Sequence, residues 1–323
     1  MVAPFTKENQ LCNELCIKDW QIFFDTEEED DNKQHLPGDP RMQLTDANIG
    51  ERLRAEFLTE DLDKMAPHLW LMSTQSSSNI SPLTEQITRG RRLIVTENPG
   101  LHLVWIHDRV FLKPLPEYLL SYAFWEYYLV SSLSPLGESV RQSLLKAISG
   151  FVRSYSYLIQ HKSDFLLATG DELQLIPKSI TFTQLVAFMS HCDIKDSSAS
   201  PRYQFGELRL TRLNFWCKIF LSKSSYQRVE WQYDAHFAQY YGPLLFIFAL
   251  ISLLTNSMQV VLAAQDMLKP DDSWLFFAKV SRGFSIFTIL FVACTAAGLL
   301  VALVYMILHE FVFAVKHFIF LNQ

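Results

Sequence analysis

The sequence predicts an α+β fold that is mainly helical. A small three-stranded β-meander sits in a cytosolic helical domain, followed by a helical stalk and a C-terminal two-helix transmembrane hairpin. Three observations carry this. Two long runs without charge, 243–264 and 284–308, fall near the C-terminus. Three short β-type runs separated by turn residues fall between 93 and 112. Most other apolar residues recur at helical spacing.

Residues 1–40 read as an acidic, mostly disordered tail with a short helix near Leu11–Phe24. Asp25, Glu27, Glu28, Glu29, Asp30 and Asp31 of DTEEEDD equal the whole formal net charge of −6. Such a run of like charge is usually a solvated segment. The rest of the chain sums to zero, so overall charge gives no sign of nucleic acid binding. Cys12, Cys16, Cys192, Cys217 and Cys294 are odd in number and lack C-x-x-C spacing. They predict neither a disulfide framework nor a zinc site, and fit reduced thiols in the cytosol.

Residues 41–202 read as the cytosolic α+β domain. A helix is expected over Ile49–Met65, stopped by Pro67, and then a serine-rich linker over 73–82. Asn79-Ile80-Ser81 matches a glycosylation sequon, which a cytosolic location and Pro82 both argue against. Strands are expected at Leu93–Thr96, Leu101–Ile106 and Val110–Leu112. Asn98-Pro99-Gly100 turns the chain between the first two and His107-Asp108 between the last two. That turn pairs Ile106 with Arg109, Val104 with Phe111 and His102 with Lys113. The other face, with Leu101, Leu103, Trp105, Val110 and Leu112, is wholly apolar and should be buried. His102 and His107 are five residues apart, so they point to opposite faces and lie roughly 16 Å apart. They cannot share a metal within one protomer.

Beyond the strands, EYLLSYAFWEYYLVSS reads as an aromatic amphipathic helix, and a longer helical pattern covers Glu138–Leu167. Thr181 and Gln184 form a capping box opening the next helix. A loop follows over Asp193–Pro201. Residues 203–242 read as a helical stalk, with Leu210, Leu213, Cys217 and Phe220 as one stripe and a bend near Ser222–Ser225.

The two uncharged runs each exceed the roughly 20 helical residues needed to cross a hydrocarbon core of about 30 Å. Phe237, Tyr240 and Tyr241 flank the first, and Trp274, Phe276 and Phe277 precede the second, as headgroup-level rings do. An even number of spans places both termini on one side. Lys223, Arg228 and Lys316 balance Lys269, Lys279 and Arg282, so basic residues do not orient the hairpin. The N-terminal residues do not resemble a signal peptide, so both termini are expected in the cytosol, with 309–323 as a short tail.

Ser252, Thr255, Asn256 and Gln259 recur at i, i+3, i+4, i+7 and form one polar face of the first span. The second span offers Ala293/Ala297 and Cys294/Gly298 at small-x-x-x-small spacing. The polar face either packs on small residues of its own or another copy, or lines a pore in an oligomer. Arg89, Arg91 and Arg92 form the densest basic cluster, which is either a solvated strand entry or a contact for anionic lipid headgroups. No phosphate-binding loop, dinucleotide fingerprint, nucleophile elbow or H-E-x-x-H motif occurs. His309-Glu310 has no second histidine in register, and His161 with Asp164 is an ordinary i, i+3 pair. No catalytic residue and no cofactor is therefore predicted.

LHLVWIHDRVFLKPLPEYLLSYAFWEYYL and RYQFGELRLTRLNFWCKIF, followed by two spans, resemble an ascomycete fungal family of two-span membrane proteins of unknown function. The resemblance covers about residues 50–316 and implies no activity. The architecture also resembles, more loosely, CorA-type two-span magnesium channels. Those channels end the first span with Gly-Met-Asn, whereas this chain has TNSMQVVLAAQ. Together these readings predict a membrane-anchored interaction or scaffold protein. The rival is a subunit of an oligomeric cation channel or transporter with the first span lining the pore. The expected partners are the lipid bilayer, an unidentified protein and further copies of the chain.

Overall fold

The structure is a computed structural model that describes residues 2–18, 21–24, 35–44, 46–192, 194–223, 225–227, 233–266, 276–295, 297–298 and 301. The acidic run at 25–31, residues 267–275 of the expected connection between the spans, and the expected tail 309–323 lie outside the described residues. The chain divides into two units, Met1–Arg228 and Val229–Gln323.

The first unit opens with two hairpins. Strands β1 (Leu15–Lys18) and β2 (Gln21–Phe24) pair antiparallel, as do β3 (His35–Leu36) and β4 (Asp39–Gln43). The expected helix near Leu11–Phe24 is therefore replaced by strands, and much of the expected tail is ordered. The reason is tertiary. Leu120 carbonyl accepts hydrogen bonds from Leu11 and Cys12 amides, and buried Phe5 packs edge-on against Trp125 and Phe188. Gly38 turns the second hairpin with φ +81°, a conformation costly for side-chain-bearing residues.

The expected single helix over Ile49–Met65 is two helices, α1 (Ile49–Phe57) and α2 (Glu60–Met65). Apolar phase explains the break. Ile49, Leu53 and Phe57 repeat at four-residue steps and are buried, but the next buried apolar residue, Leu62, is five further on. Five residues rotate a helix about 140° off the stripe, so one straight helix cannot bury both sets. A 3₁₀ segment, Ala66–Leu71, carries Pro67, and α3 (Leu83–Thr88) follows.

Strands β5 (Arg92–Val95), β6 (Val104–Ile106) and β7 (Arg109–Leu112) form where expected, with β6 shortened because Pro99–Leu101 winds as 3₁₀. The His107-Asp108 turn has the predicted register, Ile106 opposite Arg109 and Val104 opposite Phe111. The arrangement is not a meander. β5 lies parallel to β7, and a fourth strand, β8 (Leu208–Arg209), adds parallel to β6, in the order β5-β7-β6-β8.

The aromatic segment is not a regular α-helix. A 3₁₀ turn over Glu117–Leu120 leads into α4 (Tyr122–Phe124) and a π-helical turn over Trp125–Val130. Leu119, Leu120, Phe124, Trp125, Tyr128 and Leu129 are all buried. Consecutive large side chains thus point inward nearly all round, which a 3.6-residue stripe does not allow.

Helix α5 (Glu138–Leu158) is the central element. Its Leu144, Ile148, Phe151, Tyr155 and Leu158 form one buried stripe at helical spacing. The expected continuation to Leu167 breaks at Gln160-His161 and restarts as α6 (Lys162–Thr169). Helix α7 (Phe182–His191) opens with the predicted capping box. Gln184 amide donates to Thr181 Oγ1, and Thr181 amide donates to Gln184 Oε1.

The expected stalk is not continuous. Its first part is β8 and α8 (Leu210–Phe220), which bury Leu208, Leu210, Leu213 and Cys217. Ser222 has φ +54° at the expected bend, and Tyr226 hydroxyl donates to Gly100 carbonyl at 2.9 Å. These residues therefore belong to the first unit. Val104, Ile106 and Phe111, on the sheet face opposite the wholly apolar one, are buried as well.

The second unit contains α9 (Tyr233–Asp266) and a helical segment, α10 (Phe276–Thr295).

Candidate functional site

One serine–histidine pair has the spacing of a nucleophile and its base. His102 Nε2 lies 2.9 Å from Ser154 Oγ. Its surroundings give it a different role. Lys113 amide donates to His102 Nδ1 at 3.1 Å, so Nδ1 is the acceptor and the ring proton resides on Nε2. Nε2–H then donates to Ser154, whose hydroxyl donates onward to Phe151 carbonyl at 2.6 Å. A general base needs the opposite polarity. Both side chains are buried. Burial, with the Arg202 and Lys113 charges adding to it, holds the imidazole well below its ordinary pKa. The pair is a neutral core hydrogen-bond chain.

The surrounding buried charges are likewise committed. Lys113 is 1% exposed and contacts Glu97 at 3.0 Å and Glu56 at 3.4 Å. Its ammonium also lies 5.7 Å from the Phe57 ring centre. Burial raises the Glu56 carboxyl pKa, with Lys113 opposing. Arg202 donates to the carbonyls of Phe205, Gly206 and His102. Asp164 accepts from Thr84 amide and hydroxyl and from Gln160 and His161 amides. Burial raises its pKa, but these four hydrogen bonds outweigh it and the net shift is downward. The i, i+3 pair His161/Asp164 is thus a helix start tied to α3.

The arginine cluster is fully partnered. Arg89 pairs with Glu85 at 2.5 Å, Arg92 with Asp108 at 2.5 Å and Arg91 with Glu207 at 2.6 Å. Glu207 is the hub, accepting also from Ser81 amide and Gln86 Nε2. The guanidiniums of Arg91 and Arg209 both lie over Trp105, 4.5 and 5.0 Å from its ring centre. A Cβ at neighbouring Gly206 would collide with Asn79 carbonyl. Sequence reasoning missed this hub because its partners lie more than a hundred residues away.

Two open clefts of the first unit offer volume without converging reactive groups. One of about 450 Å³ is lined by Ile22, Leu44, Ile49, Tyr127 and Leu136 among others. A second of about 500 Å³ contains Arg54, Glu60, Asp61 and Lys223. There Arg54 pairs with Glu60 and Lys223 with Asp61. Cys12, Glu14 and Glu117 bring their ligand atoms within 4.8 Å of one another. Burial pushes the Cys12 thiol up to about 11, away from the thiolate a metal requires, and the cluster carries no assignment. All five cysteines are free.

In the second unit, two helices are long and apolar enough to cross a membrane. They are Leu245–Ala263, with mean hydropathy 2.0, and Phe276–Thr295, with 1.5. Almost none of either apolar window is buried within the chain. The polar stripe falls on α9. Thr255 Oγ1 donates to Ile251 carbonyl at 2.8 Å, which satisfies its hydroxyl within the helix. Ser252 is half-buried, while Asn256 and Gln259 are exposed. Ala293, Cys294, Ala297 and Gly298 are exposed too. Among the described residues, the exposed members of neither stripe are covered.

A family profile covers residues 49–292, from α1 through both apolar helices almost to the end of the second. The chain belongs to DUF6601, a family of unknown function. The DUF6601 match includes the first unit from α1 onward together with both apolar helices. No curated protein and no solved structure matches the chain.

Proposed function

We propose that this DUF6601 protein is an integral membrane protein whose N-terminal unit serves as a binding module and not as an enzyme. The observation that carries the reading is the contrast within the chain. Two apolar helices remain uncovered, while the buried Lys113, Asp164, Arg202 and Glu207 of the first unit each have partners within the fold. A catalytic centre would leave such groups facing a cleft. On this reading both termini are cytosolic, and the fungal source implied by the family resemblance belongs to the same proposal. Headgroup contact by Arg89, Arg91 and Arg92 would have to compete with their carboxylate partners.

The rival, an oligomeric channel with α9 lining the pore, draws support from the exposure of Asn256 and Gln259. Alkaline extraction of membranes, native mass in mild detergent and ion flux in vesicles test both. Retention in the membrane, with a monomer or dimer and no flux, supports the anchor. A closed ring whose flux changes on Asn256→Leu supports the channel. Release into the alkaline supernatant overturns both.

A further inference from the structure

Helix α8 presents an apolar face outward as well as inward. Leu210, Leu213 and Cys217 face the fold and are buried. On the opposite side Phe215 and Ile219 are 59% and 58% exposed. An aromatic stack borders them. Trp216 lies 5.5 Å from Phe220 at 16°, and Phe220 lies 4.0 Å from His68 at 3°. Trp70, two residues beyond His68, is 60% exposed. The charges on α8 are Arg212 and Lys218, both exposed, and the helix contains no acid. Large apolar side chains, stacked rings and a cationic rim on one surface helix form the composition of a bilayer-interface contact.

Chain connectivity favours the same occupant. Tyr226 is tied to Gly100 in the first unit, and α9 begins at Tyr233. The seven residue steps from Tyr226 to Tyr233 reach at most about 25 Å. The apolar window follows at Leu245. A membrane-inserted α9 therefore keeps the first unit beside the lipid surface at high effective concentration.

We infer that the outward face of α8, centred on Phe215 and Ile219 and rimmed by Arg212 and Lys218, docks on the surface of an anionic lipid bilayer. The inference rests on the membrane reading of the apolar helices. The bilayer takes up Phe215 and Ile219 at headgroup depth, and Lys218 faces lipid phosphates. Docking orients the first unit, and with it the two clefts, relative to the membrane.

The test uses the full-length protein in phosphatidylcholine–phosphatidylserine vesicles containing a clickable lipid. The photoreactive residue benzoylphenylalanine is placed singly at Phe215 or Ile219. Exposed Leu166 of α6 serves as the soluble control and exposed Leu253 of α9 as the membrane control. Lipid adducts at 215 and 219 well above those at 166 support the inference. Lys218→Gln should then lower the yield by up to about fivefold in anionic vesicles but not in pure phosphatidylcholine. Adducts at 253 with only background at 215 and 219 overturn the docking and leave the membrane reading intact. Chain-to-chain adducts at 215 and 219 in place of lipid overturn it in favour of a second copy. Absence of lipid adducts at 253 overturns the membrane reading itself.

Discussion

In the first unit Leu53, Leu62, Leu144 and Phe124 are completely buried, while in the second Leu245, Phe246, Leu253 and Phe287 are about two-thirds exposed. Removal of apolar surface from water stabilises by about 25 cal/mol per Å², so the first unit gains its stability from its own contacts. The second has similar side chains and gains little from the chain itself. Polar groups divide in the same way. Lys113, Arg202 and Glu207 lie inside with partners, whereas Asn256 and Gln259 face outward. The first unit buries its apolar side chains within its own fold, whereas the described apolar side chains of the second stay largely exposed.

The sharpest way to separate the two units is to damage one alone. Glu207→Ala removes the acceptor shared by Arg91, Gln86 and the Ser81 amide and leaves Arg91, nearly buried, without its carboxylate. Breaking a buried pair in this way costs about 3–5 kcal/mol, roughly 10 °C in melting midpoint for a unit of this size. Near-ultraviolet circular dichroism in detergent reads the loss. Alkaline extraction should still find the variant in the membrane. Release of the variant would show that insertion depends on the folded unit.

The complementary variant is Leu253→Arg. A charge at the centre of a spanning helix costs about 3 kcal/mol in insertion, so the released fraction after alkaline extraction should rise. Leu166→Arg, at a site of similar exposure in α6, should change neither extraction nor melting. Equal effects at the two sites would erase the distinction between the units.

Acid should loosen the first unit before the second. The His102 imidazole is held neutral, with a folded pKa below its ordinary value of 6.5. The unfolded chain therefore binds the extra proton first. The stability from neutral His102 is full above 6.5 and is lost as pH falls from there toward the folded value. Asp164, whose folded pKa lies below the ordinary 3.8, adds a second loss as pH falls below that figure. The melting midpoint should decline between about pH 7 and about pH 5, and His102→Gln should flatten that decline. Equal declines in wild type and His102→Gln would contradict the buried neutral imidazole, because carboxyls raised by burial, Glu56 among them, oppose it in the same range in both proteins.

These groups also mark where sequence reading succeeded. The two apolar runs were legible because composition alone defines them. The β6–β7 register was legible because a two-residue turn and period-two alternation act locally. The four-stranded order was not, since β8 has only two residues and its pairing with β6 crosses the length of the domain. The N-terminal hairpins were hidden because Phe5 and Leu11 are held by residues near 120. Lys113 was placed opposite His102 by the turn, and nothing within ten residues signalled its contact with Glu56. The polar stripe on α9 was legible as a pattern because spacing alone places its residues on one face.

The smallest expected effect tests the same contrast between local and distant interactions. Thr181 and Gln184 were paired from spacing alone, and the capping box joins residues three apart. Thr181→Ala removes one side-chain acceptor at an exposed helix start and should cost about 1 kcal/mol, or roughly 3 °C in melting midpoint. Backbone amides there can turn to water. Glu207 joins residues up to 126 positions apart and is itself buried against Arg91 and Gln86. The two variants, melted side by side, should differ about threefold in effect. A Thr181→Ala loss as large as that of Glu207→Ala would mean that α7 anchors the unit and not merely its edge.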